Sequence, residues 1–291
     1  MKTPHSKRIA SWLAVVALAV TGSSAFAAST WSWDFVTGST GCGAVVSGGT
    51  YSSLSCSSGA GNPTANLTAW STTKTASSSN VLDPAGTQFA TANLDWYSAD
   101  HIGVQNQATS DGLSTGTRVD VTSPQHSMDN SGQTDLILVH FTTAGADTAV
   151  DLDTVTIGWS YTDSDISVLR YTGSGTPGPS MYGQTVAGLT SNGWASVGDY
   201  ANLAVNTARN VNTPANNSSS WWLISAYNSQ FGGTCDIAGQ CSNGNDYVKL
   251  AGLGASTTKS GGQAPEPGSL ALMGAALAGM MAVRRRKRQA S

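Results

Sequence analysis

Two acidic stretches hold oxygen ligands at a spacing that suits hard cations: Asp129, Asn130 and Asp135 in one, Asp163 and Asp165 in the other. Calcium is coordinated by carboxylate, amide and carbonyl oxygens, which Asp and Asn in turns supply. Side chains two positions apart in an extended segment share a side, so Asp163 and Asp165 face the same way. Neither stretch follows the EF-hand loop, which closes on a ligating Glu. The plainer reading makes Asp129 and Asn130 an Asx turn and lets Asp163 and Asp165 solvate a hairpin. Calcium is the one cofactor expected, and only if these carboxylates converge.

Covalent and acid–base chemistry find weaker footing. Of the four histidines, His140 alternates within an apolar run where a satisfied core imidazole is expected, and His101 and His126 remain. A Ser-His-Asp set could be drawn from them, but no G-x-S-x-G elbow marks the nucleophile. Glycosidases work with paired carboxylates, one of them kept protonated. The region between the two chain ends holds no Glu at all. No phosphate-binding loop, dinucleotide fingerprint or H-E-x-x-H is present. A secreted hydrolase is therefore the most remote reading. Trp221 and Trp222 suggest a second kind of site, because aromatic rings stack on sugar rings. Neighbours in a strand face opposite sides, so one of the two could be core and the other exposed.

The elements that position these residues read as strands. Residues 29–264 are rich in Ser, Thr, Gly and Asn and carry sixteen Asp against six Lys or Arg, a net charge near −10. Such a surface repels nucleic acid, whose affinity comes from phosphate neutralisation. Leu136 to Phe141 reads as a strand buried on both faces. Val155, Ile157 and Trp159 alternate with Thr156 and Gly158, and Ile166, Val168 and Arg170 with Ser167, Leu169 and Tyr171. The polar turn Thr162–Asp165 joins the last two runs, and the three together suit neighbouring antiparallel strands. Trp31–Phe35, Trp221–Tyr227 and Tyr247–Leu250 are further strands. The fold class expected is all-β: a single jelly-roll-like antiparallel β-sandwich over residues 29–253, followed by a flexible stalk over 254–264.

The two ends give the address. Lys2, Lys7 and Arg8 precede an apolar stretch from Ile9 to Val20 and the small residues Ala25-Phe26-Ala27-Ala28. That order is a secretory signal peptide over residues 1–28. An exported chain oxidises its thiols, so Cys42 with Cys56 and Cys235 with Cys241 are expected as two local disulfides, the nearest of three possible connectivities. At the other end, Pro265-Glu266-Pro267-Gly268 stands before sixteen uncharged residues, Gly268 to Val283, and the basic run Arg284 to Arg288. The prolines keep the motif extended, and the basic residues hold the terminus in the cytoplasm. The apolar stretch is a single transmembrane sorting helix, short enough to need its basic flank to reach the interface.

This tripartite end, residues 265–291, resembles the PEP-CTERM sorting signal of diderm bacteria. The resemblance implies passage through the inner membrane, recognition by an exosortase with Pro265, Glu266 and Pro267 as the signature, cleavage near the motif, and delivery to the cell surface or an extracellular matrix. The middle of the chain is similar to an exosortase-dependent surface-protein pattern through Met128-Asp129-Asn130, Asp135–Leu138, Val155–Trp159, Asp163–Tyr171, Trp222–Tyr227 and Tyr247–Leu250. That likeness implies no catalytic residue. The sequence thus points to a noncatalytic surface protein with exosortase as processing partner and exopolysaccharide as a matrix partner. A calcium- or carbohydrate-binding module is the alternative.

Overall fold

The computed structural model describes residues 29–35, 41–43, 45–72, 85–97, 101–106, 126–177, 181–212 and 217–256. Residues 28–261 form one compact unit. The stretches read as signal peptide, most of the stalk, sorting motif and transmembrane segment lie outside the described residues. No helix among the described residues is long and apolar enough to cross a membrane.

The chain is nearly all β. In the first half run β1 (Thr30–Asp34), β2 (Gly49–Tyr51), β3 (Leu54–Ser57), β4 (Thr64–Thr72), β5 (Phe89–Tyr97), β6 (His101–Gln105), β7 (Met128–Asp129) and β8 (Asp135–Thr143). In the second half follow β9 (Ala146–Asp147), β10 (Val150–Thr162), β11 (Ile166–Tyr171), β12 (Trp194–Tyr200), β13 (Arg209–Asn210), β14 (Ser218–Ser219), β15 (Trp221–Ala226) and β16 (Asp246–Ser256). Among the described residues a short α-helix, α1 (Gly188–Ser191), and a 3-10 turn at Ser229–Phe231 interrupt them. The strands pair antiparallel in one continuous path, β12-β11-β15-β8-β4-β5-β6-β16-β10-β13. The fold is sandwich-like because β5 changes layers. Its first half, Phe89–Ala92, pairs with β4, and its second half, Asn93–Tyr97, pairs with β6.

Alternation explains which faces meet. Ile137, Val139 and Phe141 of β8 join Val155, Ile157 and Leu250 from the other layer in the main core. Trp33 of β1 meets Phe141 across the layers with ring centroids 5.0 Å apart. The opposite face of β8, Leu136 and Leu138, packs with Trp221, Leu223, Met181, Val186, Leu189 and Phe231 in a second core. The segment around α1 thus covers the outer face of β8 and β15, which is why Leu136–Val139 and Trp221–Ile224 are apolar at every position. Burying each such side chain stabilises by about 1.5–3 kcal/mol.

Two expectations are corrected here. β8, β10 and β11 are not a run of neighbours: β8 and β11 flank β15, whereas β10 pairs with β16 in the other layer. Turn length alone does not fix whether a connection stays in its sheet, and Thr162–Asp165 is a corner between layers rather than a hairpin. In addition β16 runs to Ser256 and pairs there with β1 at Thr30, so the strand takes in Gly254, Ala255 and Ser256 from the stretch read as stalk.

Candidate metal centre

The corner between β10 and β11 is built from residues that end strands and so leave backbone donors to be served. Thr162 adopts φ of 55°, a left-handed turn that a β-branched residue takes only when its surroundings impose it. Its hydroxyl donates to the Asn245 carbonyl at 2.5 Å. Asp163 then bridges to Asp246, the first residue of β16. One carboxylate oxygen from each of Asp163, Asp165 and Asp246 lies within 4.8 Å of the other two, as ligands of one ion would. Asp165 and Asp246 are fully buried, and Asp163 is half-buried.

Every one of these carboxylates is held by donors. Asp165 accepts the Asn202 N–H on Oδ1 at 2.8 Å and the Ser242 N–H on Oδ2 at 2.9 Å. Asp246 accepts the Asp165 N–H on Oδ1 at 2.8 Å and the Asn130 amide on Oδ2 at 2.5 Å. Asp163 accepts the Ser164 N–H at 2.8 Å, the Ser242 hydroxyl at 2.9 Å and the Asn245 amide at 3.3 Å. Pairing corner N–H groups with carboxylates satisfies backbone donors that no ladder reaches.

The electrostatics pull the other way. Burial pushes the Asp246 carboxyl up to about 8, and the like charges of Asp165 and Asp163 add to that rise. Burial also raises Asp165, against the two backbone N–H groups that favour its charged form. The Arg209–Asp236 ion pair and the His140–Asp147 contact draw on none of the three corner carboxylates.

Of the five oxygen ligands expected from sequence, the structure brings Asp163 and Asp165 together. Asn130 joins them through Asp246. Asp129 and Asp135 stay apart from the group: Asp129 accepts the Ser131 N–H at 2.9 Å, the Asx turn of the plainer reading, and donates its own N–H to Asp135 at 3.4 Å. Asp246 escaped the sequence reading. It lies 81 residues beyond Asp165 and carries no local signal beyond the Asn245 before it.

Both disulfides form as local pairs, Cys42 with Cys56 and Cys235 with Cys241. The second closes the loop that presents Ser242 to Asp163 and Asp165. The two tryptophans do not meet expectation. Trp222 is fully buried and donates its indole N–H to the Ser219 carbonyl at 2.9 Å. Trp221 is 6% exposed and lies flat against the His140 ring, with centroids 3.6 Å apart. The layer around α1 encloses the face that alternation would have left open. His126 is buried, and the His101 ring lies against Gly158 of β10.

Comparison with known proteins adds one match: the family model of the PEP-CTERM protein-sorting motif fits residues 263–287. No curated protein and no solved structure matches the chain. The chain therefore carries a PEP-CTERM sorting motif behind its β-rich body, which implies an exported surface protein processed by an exosortase.

Proposed function

We propose that this is a noncatalytic cell-surface or matrix protein, a jelly-roll-like β-sandwich held outside the cell in association with exopolysaccharide. Residues 1–28 act as a removable signal peptide, and the apolar stretch after Pro267 holds the chain in the inner membrane until processing. The observation that carries the reading is the sorting motif at residues 263–287 following a compact β unit. Replacing Pro265, Glu266 and Pro267 by Ala tests it. The wild-type chain is expected in shortened form at the surface, and the variant uncut in the inner membrane. Surface delivery of the variant at normal length and yield would overturn the proposal.

A second reading is favoured by the corner carboxylates, and it makes the body a calcium-stabilised module. Both oxygens of Asp246 accept hydrogen bonds, an arrangement that suits the ionised form. Burial beside Asp165 and Asp163 favours the neutral acid instead. A calcium ion shared by the three carboxylates removes that conflict, because it supplies the opposite charge and keeps the oxygens as acceptors.

A further inference from the structure

We infer that Trp159 and Tyr161 form a stacking platform for a neutral, equatorially linked pyranose chain on the outer face of β10. The inference rests on the matrix-associated reading above and names the site through which that association is made.

A single inserted residue creates the platform. Ile157 pairs with Leu250 and Trp159 with Lys249, so Gly158 is a bulge with no partner of its own. Ile157 and Leu250 are core residues. After the bulge, Trp159 falls in line with Lys249 and turns to the outer face, and Tyr161 follows two positions on. An extra residue in one strand reverses which face the following side chains occupy. Tyr161 is 53% exposed, whereas the aromatic rings of β15 are enclosed.

The two rings are aligned and braced. Their planes differ by 11° with centroids 6.4 Å apart, close to the two-residue rise of a strand, about 6.6 Å. Tyr247 meets Tyr161 edge-on with centroids 5.8 Å apart. The ammonium of the buried Lys249 lies over one face of the half-buried Trp159 ring, 5.0 Å from its centre. Rigid rings with few torsions lose little freedom on binding, so a braced pair is a better anchor than a loose one.

The occupant follows from the chemistry of such a surface. The electron-rich face of an aromatic ring attracts weakly positive hydrogens. A pyranose whose hydroxyls are all equatorial presents its axial C–H bonds on both faces, and equatorial linkage keeps successive rings flat. A body with sixteen Asp and six basic residues repels polyanions, which leaves a neutral chain as the ligand.

Cellohexaose is the probe, titrated into the exported chain purified in mild detergent, with tryptophan fluorescence and calorimetry as readouts. Saturable binding is expected, with Trp159→Ala and Tyr161→Ala each weakening it at least tenfold and Tyr161→Phe staying within about threefold. Thermal unfolding of each variant shows whether the body is intact, and Tyr161→Ala keeps the inference open to test should Trp159→Ala fail to fold. Absence of wild-type binding, or binding unchanged in both Ala variants, would overturn the platform and leave surface sorting untouched. Release of shorter sugars would instead sink the noncatalytic reading while the platform stood.

Discussion

Asn130 and Asp246, 116 residues apart in the chain, hold one another through three hydrogen bonds. The Asn130 side-chain amide donates to Asp246 Oδ2 at 2.5 Å, the Asp246 N–H donates to Asn130 Oδ1 at 2.9 Å, and the Asn130 N–H donates to the Asp246 carbonyl at 3.3 Å. This tie fastens the end of β7 to the start of β16 and aims both Asp246 oxygens at donors. Asp246→Asn puts an NH2 group against one of those donors. With calcium present to keep the carboxylate ionised, the variant is expected to lose about 1–3 kcal/mol in urea unfolding, the cost of a buried hydrogen bond left unmade. Equal or greater stability would mean that the carboxylate is not needed as a double acceptor.

In the absence of divalent cations, stability should fall as pH rises. Asp246 is raised to about 8 and Asp165 is raised in the same direction, both mainly by burial. Between the ordinary carboxylate value and about 8, the folded chain holds protons that the unfolded chain has released, so each step up in pH favours unfolding. Lys249 is lowered by burial to about 8, so its own proton release sets in near the top of that window and opposes the decline there. Melting in EDTA from pH 5 to 8 should show a steady decline, flattened by Asp246→Asn. A rise across this range would contradict the buried-acid description of the corner.

The two disulfides should separate by their effect on the cation response. Opening Cys235–Cys241 with paired Ser substitutions removes a constraint with a sequence separation of 6 and costs about 2 kcal/mol by chain entropy. It also frees the segment holding Ser242, so the stabilisation given by calcium should shrink. Opening Cys42–Cys56 is expected to cost about 3 kcal/mol and leave the calcium increment unchanged, because neither residue contacts the corner. Parallel melts of both variants, with and without calcium, check this.

Gly158 is expected to tolerate no side chain. A Cβ there would stand 1.6 Å from the His101 ring. Gly158→Ala should cost at least about 1–3 kcal/mol through overpacking. His101→Ala should recover part of that loss in a double-mutant cycle. Full additivity would place the ring elsewhere.

What the sequence made legible follows from how local each signal is. The β character, the disulfide pairs and the sorting motif are written in short stretches and were readable. Asp163 and Asp165 were foreseen as neighbours from their two-residue spacing, and their carboxylates converge although they stand at a corner rather than in a strand. Asp246 was not, since only the corner between layers brings it within reach. Trp159 read as an inward residue in step with Val155 and Ile157, and the bulge at Gly158 reversed it. A glycine inside a strand run is the signal that could have warned of this. Trp221 and Trp222 misled for the opposite reason, because the uninterrupted apolar run Trp221–Ile224 marks a strand covered on both faces.

Thermal unfolding of the exported chain in excess EDTA and then in millimolar calcium tests the metal corner most directly. A site that binds only the folded state adds about 2.7 kcal/mol at a hundredfold excess over Kd. For a body of this size that corresponds to a rise of roughly 5–10 °C. We expect that rise in the wild type and its loss when Asp163 and Asp165 are both replaced by Ala. An identical melting temperature in EDTA and calcium would contradict the account and leave the three carboxylates as a proton-sharing corner of the fold.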